Sequence, residues 1–563
     1  MEGNIVSNTR DDTTSTIQKE LKSHQSQTEN TSGMLIKTQS YEDSKQSLLF
    51  KRRTMLGGRG QAGVAGFYVS EDPSDNNEYL IKVDDSATCL MEGFACFAES
   101  VIPDTLKSSV NFAHAGKANI DSNDEEVAVS IQPKLTGYKP WDVVIAGSKR
   151  NPKTMVSFEA TNMSSILASI DQMTEHAKNQ LAMAIFISSL VGDESLHVGQ
   201  FMVKTNDNGI ITDITRIDFG ARERYAVLRQ ELNDYTHETS RAYERSGQLG
   251  KDYISYYLAH PDIKARVMHL WTRNEIQGDQ LSEHYKAEFT AQFNNLPESK
   301  QKEAIEGVLA TINKGAKSKL TTNNPEELAE QMSQMMKTRV TKLSASASVF
   351  IEVSLAHSFN QIILKSRNIK DTNIIKNNIK TLVNAQSLHK LLSAYGSIKD
   401  HLGKLEPPEP VINILTHLQA KFNFEYAYNN DADKKSLANI IQQLDDLKAK
   451  YQVLNELLLY KQHLPLSESA VDKIIAVDEA IDWLRKDMAK PAGQRESICN
   501  TITPQFVEII SEIRLVGTVS KGAEVAQRID QYLINYKAPE IMKRPKLPDT
   551  APPEPPKDNK IKI

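Results

Sequence analysis

Between Leu181 and Gly220 the hydrophobic pattern changes period twice, and that change constrains the fold more than any other feature of the chain. Leu181 to Val191 is an apolar run with the length and spacing of a buried helix. A polar loop follows, Gly192-Asp193-Glu194-Ser195-Leu196-His197-Val198-Gly199-Gln200. Phe201 begins a strand, and Asn208-Gly209 makes a tight hairpin turn, because this pair accepts the positive φ that such turns need. A second strand ends in Ile217-Asp218-Phe219-Gly220. A helix, a loop and a hairpin in this order bring the polar loop beside the end of the second strand. A carboxylate there, Asp218, suits a divalent cation that carries a polyphosphate.

The chain has 563 residues, which predicts more than one core. Its net charge of −5 gives no basic character from which to expect nucleic acid as a partner. The three cysteines, Cys89, Cys96 and Cys499, provide neither a disulfide framework nor a zinc spacing. The start of the chain shows no apolar signal-peptide core, and the Leu181–Val191 run is too short for a bilayer. The expectation is therefore peripheral membrane contact at most, with no transmembrane segment.

Residues 1–48, rich in Ser, Thr, Gln and Asn, read as disordered, and 541–563 as a Pro- and Lys-rich tail. Residues 49–135 alternate short strands with turns, as in Gly66-Phe67-Tyr68-Val69, Tyr79-Leu80-Ile81-Lys82-Val83 and Val127-Ala128-Val129-Ser130-Ile131. Helical periods dominate residues 136–365, and 366–540 is helical throughout. Leu437, Leu444, Leu447, Tyr451 and Leu454 form one helical stripe there, read as core packing.

Two further segments carry chemistry. Gly58-x-Gly60-x-x-Gly63 offers backbone N–H groups that phosphates can approach, and a strand rather than a helix follows it. Lys82 sits among apolar strand residues, where its ammonium needs compensation. Glu92 and Glu99 lie on one face of the next helical segment. Glu92 is the preferred partner and Glu99 the alternative. Ile131-Gln132-Pro133 reads as a strand running into a hinge, where backbone groups at Gln132 would meet the adenine of a nucleotide.

The loop with His197, Gly199 and Gln200 resembles the catalytic loop of phosphatidylinositol-kinase-like and related atypical kinases, which reads Gly-x-x-Asp-x-His-x-Gly-Asn before an apolar strand. His197 and Gly199 match, Gln200 stands at the metal-binding Asn, and Ser195 stands where the catalytic Asp is expected. Asp193 is the nearest carboxylate that could orient an acceptor hydroxyl. The resemblance implies an α+β, bilobal protein-kinase-like fold with a small β-rich N-lobe (49–135) and a helical C-lobe (136–365). A separate all-α domain (366–540) follows. ATP with Mg or Mn is the implied cofactor. Lys82, paired with Glu92, would hold the phosphates, with Asp218 and Gln200 on the metal.

The layout also resembles secreted effector kinases of intracellular bacterial pathogens that use type IV secretion. The layout is most similar to one kind within that group, which is activated by host inositol hexakisphosphate and binds phosphatidylinositol 4-phosphate through a C-terminal module. This implies a host protein substrate, a location in the host cytosol and on host membranes, and a basic inositol-phosphate pocket. Lys149, Arg150, Lys153, Arg222 and Arg224 are its candidate residues. The expected function is an ATP-dependent Ser/Thr protein kinase. The alternatives are a nucleotide-binding pseudokinase scaffold, prompted by Ser195 and Gln200, and a phosphoinositide kinase.

Overall fold

The strand-rich stretch closes into a barrel. The computed structural model describes residues 33–37, 47–55, 65–70, 78–93, 113–119, 126–146, 163–191, 196–217, 253–272, 279–313, 320–365, 369–385, 387–429, 431–464 and 471–500, with a few short stretches beyond. Strands β1 (Gly33–Lys37), β2 (Ser47–Met55), β3 (Ala65–Ser70) and β4 (Glu78–Val83) lead to helix α1 (Ser86–Gly93). Strands β5 (His114–Asn119) and β6 (Glu126–Pro133) complete the barrel, in the order β1-β2-β3-β4-β6-β5 with β5 returning to β1. Every pairing is antiparallel. The expected strands at Gly66, Tyr79 and Val127 are all present. Strand β1 falls inside the segment 1–48, which its composition marks as disordered. The short apolar trio Met34-Leu35-Ile36 pairs there with both β2 and β5, and a polar average hides so short a run.

Beyond the barrel, β7 (Lys139–Pro140), α2 (Trp141–Ala146), α3 (Met163–Asp171) and α4 (Glu175–Val191) precede the hairpin of β8 (Phe201–Thr205) and β9 (Ile211–Arg216). These three strands make a second sheet, β7-β8-β9. The expected turn is there. Gly209 has φ +77°, and Asn206 Oδ1 accepts from the N–H groups of Asn208 (3.1 Å) and Ile210 (3.0 Å). A residue with a Cβ would be strained at Gly209.

The helices that follow are α5 (Tyr253–Leu258), α6 (Pro261–Trp271), α7 (Asp279–Asn294), α8 (Glu298–Ile312) and α9 (Pro325–Lys365). After them come α10 (Ile369–Val383), α11 (Leu388–Ile398), α12 (Pro408–Tyr428), α13 (Asp431–His463) and α14 (Val471–Met488). From Leu181 to Leu190 helix α4 is almost wholly apolar, because α6, α9 and β9 cover it. Its two serines are tolerated because Ser188 donates to Ala184 O (2.6 Å) and Ser189 to Ile185 O (2.8 Å). By length and composition α9 could cross a bilayer, and 33% of its most apolar window is buried. Its buried residues, among them Met336, Val340, Leu343 and Ala347, mark one face turned to the core.

The stretch after residue 366 is helical, as its pattern predicts. On α13 the stripe Leu437, Leu444, Leu447, Tyr451 and Leu454 is buried. The expectation of a separate bundle meets a shared core instead. Helix α12 lies against α6 and α9, and one hydrophobic cluster runs from α1 through α4 and α6 into α12 and α13.

Candidate functional site

Strand β4 carries Lys82 to the barrel edge that faces α1. Its Nζ donates to Glu92 Oε1 at 2.7 Å. The lysine side chain is 22% exposed and that of Glu92 only 3%. The carboxylate is thus committed to the pair, while the ammonium retains access to solvent. Glu92 has a second partner, since Gln132 Nε2 donates to its Oε2 at 3.3 Å. The side-chain amide of Gln132 is therefore spent on positioning Glu92, which leaves its backbone groups for the hinge role that its sequence position suggests.

Helix α1 starts where it does because Asp85 caps it. Thr88 N–H and Oγ1 donate to the two oxygens of Asp85, at 3.0 and 2.7 Å. All eight residues of α1 are buried. Asp84, just before the cap, was not anticipated. Burial first, then the neighbouring carboxylates Asp85 and Glu92, push its pKa up to about 7, with Lys82 opposing. A run of Asp-Asp after a strand lysine is the signal that could have drawn attention to it.

The loop and hairpin assemble beside one another as their order implies. Leu196 is anchored through its carbonyl, which accepts from Tyr257 Oη at 2.6 Å. The Leu190 carbonyl accepts from Arg339 Nη1, also at 2.6 Å. Trp141, Phe201 and Tyr257 pack ring against ring around the loop, with centroids 5.7–5.8 Å apart. Val198–Gln200 form a short 3₁₀ turn that places the buried Gln200 side chain at the start of β8. Phe201 pairs with Arg216, and Ile217 N–H donates to Gln200 O at 2.9 Å. Ile217, the residue before Asp218 in sequence, is thus held to the backbone of Gln200. Buried Arg216 fixes this strand end to α4 through Ser188.

The structure therefore brings together Lys82, Glu92 and Gln132 in one cluster. It ties the loop of His197 and Gln200 to the strand that leads into Asp218. Gly58, Gly60, Gly63, Glu99, Lys149, Arg150, Lys153, Asp193, Ser195, Asp218, Arg222 and Arg224 lie outside the described residues. Among the described residues no group of three or more His, Cys, Asp or Glu side chains is placed to hold a metal ion.

A family model described as the LepB N-terminal domain matches residues 130–348, from β6 into α9 and less than half of the chain. None of the curated proteins matches. Solved structures with some likeness include a double mutant of the PknI kinase domain from Mycobacterium tuberculosis. It is 14% identical with a TM-score of 0.20, and the match covers 52% of this chain and 95% of that one. Another is the MAP kinase LmaMPK10 from Leishmania major, 11% identical with a TM-score of 0.21, covering 53% and 81%. Likeness at this level carries no argument about activity, and the reading of the site rests on its own geometry.

Proposed function

We propose that this chain is an ATP-dependent phosphotransferase that acts on a protein hydroxyl. The observation that carries the reading is the Lys82–Glu92 pair, with its carboxylate buried and its lysine side chain partly exposed. An ammonium so held is positioned to neutralise phosphate oxygens without wandering, and phosphoryl transfer depends mostly on such positioning. The residues fit the nucleotide. Lys82 would hold its phosphates, the glycines of 58–63 would cover them, and Gln200 with Asp218 would hold Mg or Mn. When bound, ATP and the metal supply the transferable phosphoryl group and its charge compensation. Asp193 would orient the acceptor hydroxyl in place of the carboxylate that Ser195 lacks.

The finer reading is a secreted effector kinase, delivered by type IV secretion into the host cytosol. Its activator would be inositol hexakisphosphate, and its anchorage membranes bearing phosphatidylinositol 4-phosphate. Motif resemblance supports that part. Ser195 and Gln200 favour a second reading, a pseudokinase that binds nucleotide without transferring phosphate.

Labelled ATP given to the purified full chain tests these readings. Mg or Mn would be present, with and without inositol hexakisphosphate, and protein and phosphoinositide vesicles would be offered as acceptors. The expected result is label on protein, lost in Asp218→Ala. Label on lipid alone would reassign the acceptor. Nucleotide binding with no transfer to either would select the pseudokinase.

A further inference from the structure

A residue far along the chain lies between the sheet row that carries Lys82 and the helix end that carries Glu92. Gln292, on α7, is fully buried. Its Oε1 accepts from the N–H of Ala115, at 2.6 Å, near the start of β5. Strand β1 pairs with β5 over Lys117–Asn119, so among the described residues no strand reaches this N–H and Gln292 stands in for one. Ala115 pairs with Ser130 on β6, and Ser130 pairs with Lys82 on β4. The three residues form one row across the sheet, with Gln292 bound at one end and Lys82 at the other.

The same oxygen also lies against the helix. A Cβ built at Gly93 would stand 2.7 Å from Gln292 Oε1, closer than real contacts allow. Gly93 follows Glu92 directly. One side-chain oxygen therefore sits between the lysine's row of the sheet and the residue next to the glutamate. The Nε2 side is occupied too, 3.3 Å from Glu288 Oε2 and 3.4 Å from His114 Nδ1. Around this contact α7 and α8 cover α1.

We propose that Gln292 is a positioning residue that fixes the gap between α1 and the sheet, and so holds Glu92 on Lys82. The pair is then assembled within the chain by α7, and the helix bearing Glu92 needs no partner to bring it in. The role of that pair in nucleotide binding rests on the phosphotransferase reading, whereas the positioning itself does not.

Acetylation of Lys82 by an N-hydroxysuccinimide acetate, followed by mass spectrometry on the folded full chain, separates the two. An amine held as an ammonium on a carboxylate acylates slowly. Loss of the pair in Glu92→Gln should therefore speed labelling of Lys82 about tenfold. Gln292→Met, of similar length but without the acceptor, should speed it several-fold. Gly93→Ala, which displaces the amide, should do the same. Glu288→Gln leaves the Gln292 oxygen on Ala115 and should stay near the wild-type rate. Continued protection of Lys450, which is fully buried among the C-terminal helices, identifies variants that remain folded. If Gln292→Met exposes Lys450, Gly93→Ala decides. Wild-type labelling of Lys82 in the folded variants would overturn the proposal. MgATP titration of the same proteins should show weaker binding in Gln292→Met. If the wild type binds no MgATP, the phosphotransferase reading fails, and the labelling rates still decide the role of Gln292.

Discussion

Two clusters of buried charge use the same side chains to opposite ends. At the barrel, one lysine and one glutamate meet, and the lysine remains partly exposed. Between the C-lobe helices and α12–α13, by contrast, Asp262 joins Lys178 (3.3 Å) and Lys448 (2.6 Å), and Glu175 meets Arg266 and Gln419. The charged groups of this second cluster that carry positive charge are all inaccessible. A carboxylate and an ammonium with water on one side can receive a ligand. A network whose cations are all buried holds helices together, and it selects their register. Exposure of the cation separates the two clusters: the Lys82 side chain is 22% exposed, whereas Lys178, Lys448 and Arg266 are buried even though Glu175 beside them reaches solvent.

The largest expected effect lies in the closed cluster. Asp262→Asn leaves Lys178 and Lys448 buried without their carboxylate, and should cost about 3–5 kcal/mol in urea unfolding. Burial alone would raise the pKa values of Asp262 and Glu175. The surrounding Lys448, Lys178 and Arg266 charges override it, holding Asp262 well below the carboxylate range and Glu175 at about 2. Both carboxylates therefore stabilise the fold above their unfolded pKa values, and that stability is lost as pH falls from about 4.5 towards 2. The acid limb should be shallower in Asp262→Asn. An unchanged limb would break the contrast.

Next, Lys82→Met should reduce phosphate transfer by about 100-fold or more while costing less stability than Asp262→Asn. Paired kinetic and urea measurements check this. Equal stability losses with transfer intact would place Lys82 in the architecture.

A smaller effect has the opposite sign. Burial first, then Glu175 nearby, push the pKa of Asp445 up to about 7. Ionising it costs the folded state, so its contribution is favourable at low pH and lost as pH rises through 7. Asp445→Asn should gain about 1–2 kcal/mol at pH 8, and less at pH 5, in unfolding experiments at the two pH values. The smallest effect belongs to Asp84. As pH rises through about 7 it ionises beside Lys82, Asp85 and Glu92. MgATP affinity should weaken a few-fold from pH 6 to 8, and Asp84→Asn should flatten that slope.

Much of the site could be read from local sequence. The strand around Lys82, the turn at Asn208-Gly209 and the loop before β8 depend on neighbours within a few residues, where period and turn chemistry act. The helical face admitted both Glu92 and Glu99, and the small residues Ala95 and Ala98 beside it favoured Glu92. The third partner, Gln132, could be placed on its strand but not given its task, because the direction of its amide depends on where α1 packs. Gln292 could not be seen at all, since it meets Ala115 across 177 residues of chain. The same holds for Asp262 and Lys448, polar residues on separate helices whose meeting is fixed by tertiary packing. Strand β1 escaped notice because three apolar residues acquire meaning only when β2 and β5 lie on either side.

Calorimetric titration of MgATP into the full chain and into Lys82→Met tests the central claim most directly. The account predicts saturable binding by the wild type that is abolished or greatly weakened in the variant. Equal affinity in both, or heat from neither, would contradict it.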